Sequence, residues 1–426
     1  MEQKAWIISV NMGYGHQRTA YSLRHLAFKE KIINANDYEG ILEKDRKIWE
    51  NAKKGYEFIS RFKRVPLIGK IFFSFFDKLQ EILIFYPKRD LSKLSFQLKQ
   101  TFFPIKKFGW GRHLIEKLSE NPLPLVATFF TPAFMAEFFN YPGQIYCVVC
   151  DADISRTWAS IKPNLSKIKY FAPTSRVVER LKLYGVKPEN IFLTGYPLPV
   201  ENIGTENLEV LKYDISHRIL NLDPERKYQH RYNSLIKKYI GKLPEKSNHI
   251  LTIMFAVGGA GAQKEIGIKV VKNLAKKIKA NEIKVILVAG NRKEVKEYFL
   301  ENVKKLGLTE NKNVEIIFAK DINEYFKKFN LALRKTDILW TKPSELSFYS
   351  ALGLPVIIAP PIGSQEEFNK RWLLKSGFGN LQENPDYVNQ WLFDWIFHGY
   401  LAEASLQGFI EGEKLGTFKI QKIISK

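Results

Sequence analysis

Ile250-Leu-Thr-Ile-Met-Phe-Ala-Val257 runs directly into Gly258-Gly259-Ala260-Gly261, and a helical pattern follows from Lys264 to Lys279. A nearly continuous apolar run closed by glycines reads as a strand of a parallel sheet buried on both faces, then a tight turn, then a helix. The same order opens the chain. Ala5 to Val10 reads as a buried strand, Asn11-Met12-Gly13-Tyr14-Gly15-His16 as a glycine-bearing turn, and Gln17 to Lys29 as a helix. Two such openings half a chain apart predict an α/β protein of two facing Rossmann-like domains. In sheets of this kind the crevice at the carboxyl ends of the strands is where ligands bind.

The intervening sequence continues the alternation. Leu125 to Phe130, Ile145 to Cys150, Tyr170 to Ala172 and Ile191 to Thr194 read as strands, with a helix over Ser175 to Leu183. In the second half, strands are expected at Lys284 to Ala289, Val314 to Phe318, Ile338 to Thr341 and Pro355 to Ala359. Helices are expected at Ile322 to Phe329, Leu346 to Leu352 and Glu366 to Leu374. A chain of 426 residues, 45% hydrophobic, is long enough for two cores. The expected division is a first domain over 1–200, a polar linker over 201–248, a second domain over 249–385, and helices over 386–426 that cross back to the first.

Composition narrows the partners. The net charge of +22 calls for a polyanionic surface, either nucleic acid or acidic lipid. Between Lys53 and Lys117 stand fifteen Lys or Arg, five Asp or Glu and fourteen aromatic residues. That stretch reads as a basic aromatic insertion of amphipathic helices joined at Pro66, Pro87 and Pro104. Phe72, Phe73, Phe75 and Phe76, beside Arg61, Lys63, Arg64 and Lys70, have the composition of a membrane-interface segment. No apolar run is long enough to span a bilayer, since Leu123 to Val149 is broken by Pro132, Glu137, Pro142 and Gly143. The start of the chain shows no export signal. Cys147 and Cys150, on opposite faces of one strand, read as core filling and not as a metal site.

The glycine turn at 258–261 has neither the Gly-x-Gly-x-x-Gly order of a dinucleotide site nor the Gly-Lys-Ser/Thr ending of a nucleotide triphosphatase loop. It does offer bare backbone N–H groups at a helix start, which suit a diphosphate. Taken in order, several segments resemble a known family. Met12-Gly-Tyr-Gly-His16-Gln-Arg-Thr-Ala20 is similar to the loop that opens the monogalactosyldiacylglycerol synthases and their peptidoglycan relatives, the lipid-linked N-acetylglucosaminyltransferases. Asp151 to Trp158, Phe171 to Ser175, Gly185 to Pro197, Thr341-Lys-Pro-Ser344 and Gly353 to Asn369 continue the resemblance in the same order.

What the resemblance implies is a GT-B glycosyltransferase that moves a sugar, with inversion, from a nucleotide sugar, expected to be UDP-linked, to a lipid hydroxyl. His16 and Asp151 become rival candidates for the catalytic base; Gly13, Gly15 and Trp158 fall in the acceptor loops. Gly258, Gly259, Gly261, Thr341, Lys342, Ser344, Glu345, Gln365, Glu366 and Asn369 become donor contacts. Where the family carries a ribose-gripping Glu, this chain has Ser350, with Glu345 nearby. No cofactor and no metal is expected, the nucleotide sugar being a co-substrate. The partners would be that donor, a lipid acceptor and an anionic membrane surface, without nucleic acid, on the cytoplasmic face of a membrane. Two other readings stay open: a soluble nucleotide-sugar epimerase, and a non-catalytic descendant that binds nucleotide or membrane.

Overall fold

The computed structural model describes residues 3–62, 82–256, 258 and 261–426. They form two compact α/β units. The first comprises Met1–Pro197, Ile362–Asn369 and Leu415–Lys426; the second comprises Leu198–Pro361 and Lys370–Lys414. Each is built on a parallel six-stranded sheet.

The first sheet contains β1 (Trp6–Ser9), β2 (Ile33–Asn34), β3 (Leu125–Ala127), β4 (Ile145–Val148), β5 (Lys169–Ala172) and β6 (Ile191–Leu193). Their order across the sheet is β2-β1-β3-β4-β5-β6. The chain runs outward from β1 to the β2 edge, then returns to lay β3 on the other side of β1, with Ile8 opposite Ala127. That reversal makes the carboxyl ends of β1 and β3 a topological switch point. Ile7, Val126, Tyr146, Val148 and Phe171 form the core under a covering helix, with Ile420 and Ile424 from the chain's end.

The second sheet contains β7 (Leu251–Ala256), β8 (Ile283–Gly290), β9 (Val314–Phe318), β10 (Ile338–Thr341), β11 (Val356–Ile358) and β12 (Gly379–Leu381), in the order β12-β11-β10-β7-β8-β9. Here the direction reverses between β7 and β10, where Thr341 lies opposite Ala256. The helix Lys264–Lys279 buries Val270, Val271, Leu274 and Ile278 against Phe255, Leu287 and Trp340. Each such side chain contributes roughly 1.5–3 kcal/mol by leaving water. The polar stretch 201–248 lies within this unit and is largely helical. Arg218, fully buried, donates to the carbonyls of Thr336 and Leu352 at 2.7 and 2.6 Å. Such bonds make a charged side chain compatible with a core.

Several expectations are corrected. The first helix is Tyr14–Ser22, not Gln17 to Lys29. It stops because Ala5 takes both its backbone bonds from the following segment, to Leu26 O and from Phe28 N, at 2.9 Å each. Residues 24–30 therefore turn tightly alongside β1. Phe130 opens a helix, Phe130–Phe138, in place of ending a strand. Residues Glu345–Leu352 form a 3-10 helix. Pro104 does not join two helices but lies inside Phe96–Phe108, whose Leu98, Phe102 and Ile105 are buried. The sequence reading passed over β2, β12 and the helix Lys293–Lys305. No helix among the described residues is long and apolar enough to cross a membrane.

Candidate functional site

Both turns singled out in the sequence lie at the two switch points. At the first, Gly13 holds φ 135° and ψ 161°, a conformation open to glycine alone, and hands the chain to the helix that carries Gly15 and His16. The Gly15 carbonyl accepts the Thr19 hydroxyl at 2.8 Å. His16 Nδ1 lies 2.8 Å from the carbonyl oxygen of Thr128, the residue after β3. The Thr128 hydroxyl in turn donates to the His16 carbonyl at 2.9 Å, which pins the two strand ends together. A carbonyl can only accept, so Nδ1 carries the proton and the lone pair belongs to Nε2. That is the tautomer a general base needs.

The ring is held on its sides as well. Phe129 lies 4.7 Å and Trp158 6.4 Å from the imidazole, centroid to centroid, and Cys150 Sγ is 3.4 Å from Nδ1. Trp158 is buried and packs edge-on to Phe130 at 5.4 Å, so it backs the histidine and is not itself a surface of the loop. Phe129, half-buried, is the aromatic of this group that reaches solvent. Burial pushes the Cys147 thiol far above its ordinary range, which keeps it neutral in the core. The described residues contain no group of three or more metal-ligating side chains.

Asp151 stands at the end of β4, where Asn369 clamps it. The Asn369 amide nitrogen donates to Asp151 Oδ1 at 3.2 Å, and its oxygen accepts from the Ala152 N–H at 2.8 Å. Asn369 is fully buried and groups with the first unit. The structure thus pairs the amide of Asn369, expected as a donor contact, with Asp151 and the backbone beside it. Glu366 is also turned inward, its Oε2 accepting from Ile362 N–H at 2.7 Å and bracing the turn after Pro361. Gln365 in the same turn is half-buried.

At the second switch point, Gly258 and Lys342 are in close approach. A Cβ at Gly258 would meet Lys342 Cε at 2.1 Å, so the bare glycine is what lets the lysine lie across the turn. Gly261 holds φ 68° at the start of the helix, and Gln263 donates to the Pro360 carbonyl at 2.8 Å, tying the neighbouring turn to it. Ser344 N–H donates to the Lys342 carbonyl at 2.8 Å, and Glu345 follows in the first turn of the 3-10 helix. Thr341 is buried with its hydroxyl on the Ala256 carbonyl at 3.1 Å, so it fastens β10 to β7 and is not offered to a ligand.

Ser350 is fully buried, its hydroxyl on the Ser347 carbonyl at 2.8 Å and the backbone of Gly408 packed against its own carbonyl. Gly259, Lys63, Arg64, Lys70, Phe72, Phe73, Phe75 and Phe76 lie outside the described residues, and Arg61 is in the last turn of the helix Glu43–Phe62. Thr128, Phe129 and the clamping role of Asn369 were not found from sequence. Thr128 and Phe129 lie inside the expected strand Leu125 to Phe130 but just past the end of the observed one, and their placement depends on which strand neighbours β1.

A family described as "Domain of unknown function (DUF6938)" matches residues 244–315. The processive diacylglycerol beta-glucosyltransferase of Staphylococcus aureus is 22% identical over 391 residues, covering 90% of this chain and 82% of that protein. This chain is an enzyme of the glycosyltransferase class. Among solved structures, MurG of Acinetobacter baumannii is similar at TM-score 0.46 and 13% identity, over 75% of this chain and 78% of that one. The UDP-GlcNAc 2-epimerase of Neisseria meningitidis bound to UDP-GlcNAc is similar at TM-score 0.45 and 12% identity, over 79% and 83%. The similarity to the Staphylococcus aureus protein extends along nearly the whole chain, as the resemblance read from the sequence does.

Proposed function

We propose that the protein transfers a sugar, with inversion, from a UDP-sugar to the hydroxyl of a membrane lipid of the diacylglycerol type, at the cytoplasmic face of an anionic membrane. The observation that carries this reading is the occupancy of the two switch points: a histidine with its lone pair on Nε2 at one, a bare glycine turn crossed by a lysine at the other. The activity named for the Staphylococcus aureus relative supports the choice of lipid.

In this reaction His16 Nε2 removes the acceptor hydroxyl proton as that oxygen bonds to the anomeric carbon. The bond from that carbon to the diphosphate breaks, and its electron pair leaves with the nucleotide. Lys342 and the N–H groups opening the helix Lys264–Lys279 meet the developing charge. Glu345 and Gln365 contact the donor, and Asp151, held by Asn369, orients the acceptor. For membrane approach, the described part of the insertion offers the helix Phe96–Phe108. Phe96, Phe103 and Phe108 are 58%, 55% and 50% exposed, and Lys107 lies over the last two rings at 5.2 and 5.6 Å. Rings of this kind enter the acyl boundary while the lysines meet head groups.

The test is nucleotide release from UDP-, GDP- and dTDP-sugars, each with and without vesicles containing diacylglycerol. Release that requires both a UDP-sugar and diacylglycerol is the expected result. Interconversion of the sugar without lipid would make the protein an epimerase, and binding without any turnover would make it a non-catalytic descendant.

A further inference from the structure

Around the second sheet several lysines lie in ion pairs, Lys269 with Asp386, Lys277 with Glu282, Lys284 with Glu315, Lys305 with Glu301 and Lys328 with Glu324, at 2.6–2.8 Å, while others such as Lys272 and Lys276 have none among the described residues. The segment from Arg226 to Lys246 concentrates such cations. It carries seven Lys or Arg against one Glu. Lys227 has Glu225 beside it, but among the described residues no carboxylate pairs with Arg231, Lys237, Lys238, Lys242 or Lys246, all of them exposed.

This segment is built as a surface and not as a loose chain. The helices Lys227–Arg231 and Asn233–Tyr239 are fastened beneath by buried Ile236, and by Asp223, whose carboxylate accepts from Tyr228 N–H at 3.1 Å and Gln229 N–H at 2.8 Å. Above, cations lie beside rings: Arg231 over Tyr232 at 5.4 Å and Lys238 over Tyr239 at 5.1 Å. Leu235, 38% exposed, stands among them. The turn at Gly399, between exposed Phe397 and Tyr400, packs against Tyr228, and the Glu403 carboxylate acts on the same tyrosine.

We propose that the face formed by residues 226–246 is a second membrane contact, carried by the second unit, that binds the head groups of anionic phospholipids. Like charges in excess on one face repel one another, so the arrangement is favourable where a polyanion faces it. Leu235 and the tyrosine rings supply what a membrane interface takes up and a purely electrostatic partner leaves in water. Basic residues near an anionic surface each strengthen binding about fivefold. This inference rests on the lipid-acceptor reading only for its purpose; its test needs neither donor nor turnover.

Cys147 and Cys150 are 1% and 4% exposed, so a cysteine placed at Leu235 is the one that labels. The full chain carrying Leu235→Cys, bearing an environment-sensitive fluorophore, is titrated with vesicles of phosphatidylglycerol and phosphatidylcholine. A blue shift with mixed vesicles, absent with phosphatidylcholine alone, is expected. In a second variant, Arg231, Lys237, Lys238 and Lys242 all become Gln; it should bind mixed vesicles roughly 600-fold more weakly and keep its turnover on detergent-dispersed acceptor. No shift with anionic vesicles overturns the proposal even if the protein binds them elsewhere. A shift produced by single-stranded RNA but not by vesicles overturns it in favour of nucleic acid. Loss of turnover on dispersed acceptor with vesicle binding unchanged would show the lysines to be structural.

Discussion

The two glycine turns occupy the same place in their sheets, yet their glycines answer different demands. Gly13 has an unusual backbone, φ 135°, with nothing within 4 Å of where a side chain would begin. Gly258 has no such backbone, but its missing Cβ is the space through which Lys342 passes. One glycine shapes a loop that presents a histidine. The other leaves room for a cation. In the proposed reaction the contrast separates proton removal at the first switch point from diphosphate binding at the second, and it can be broken at either end.

The largest effect is expected at His16. Replacing it with Ala removes the imidazole that Thr128 holds, the base in the proposed reaction, and turnover should fall by roughly 10²- to 10⁴-fold. The dissociation constant for UDP-sugar, read by calorimetry, should stay within about twofold. Equal loss of affinity and turnover would move His16 to the donor side and erase the division between the turns.

A smaller effect of the opposite kind is expected at Gly258. In Gly258→Ala the new methyl meets the far end of a flexible lysine, so the fold accommodates it by displacing Lys342. Charge-assisted bonds to a diphosphate contribute about 1.5–3 kcal/mol, so donor affinity should fall roughly ten- to a hundredfold. Lys342→Ala should match it, and the double variant should be no worse than either single one. Unchanged affinity in Gly258→Ala would mean that this glycine, too, serves only its turn.

Much of the framework was legible in the sequence, for identifiable reasons. The helices Ser175–Leu183 and Lys264–Lys279, and the strands Val314–Phe318 and Ile338–Thr341, fall where the apolar pattern put them. Thr174 shows why a boundary can be read: its hydroxyl accepts from Val177 N–H at 3.2 Å, as a capping threonine does. The edge strands Ile33–Asn34 and Gly379–Leu381 were illegible because two or three residues carry no period. Gly379 pairs so tightly that a Cβ would lie 2.3 Å from the Val356 carbonyl, a constraint set by the neighbouring strand. The helix Lys293–Lys305 was legible, with Val295, Phe299 and Val303 four apart, and was passed over.

The site divides similarly. The places of His16, Gly13, Gly258 and Lys342 at the ends of strands could be read because glycine turns after strands are local signals. Asn369 could not be assigned correctly, because its role depends on Asp151, 218 residues away, and its chemistry as an amide suits a sugar as well as a carboxylate. Ser350 misled in the other direction. It stands where the resemblance leads one to expect a carboxylate, and it is buried with its hydroxyl on the Ser347 carbonyl, while Glu345 opens the same 3-10 helix.

The smallest effect sharpens the comparison most. Gly13→Ala adds a methyl group to open space, so any change in stability comes from the backbone alone. Holding a non-glycine residue at φ 135°, ψ 161° costs about 1–3 kcal/mol. The expected result is a lower urea midpoint at unchanged slope, with UDP-sugar affinity intact. Gly258→Ala should do the reverse, keeping its midpoint and losing affinity. If Gly13→Ala instead keeps full stability, the loop has relaxed to another backbone, and His16 should then lose its bond to Thr128. Turnover measured on that same variant would fall toward that of His16→Ala, so stability and activity cannot both survive the substitution.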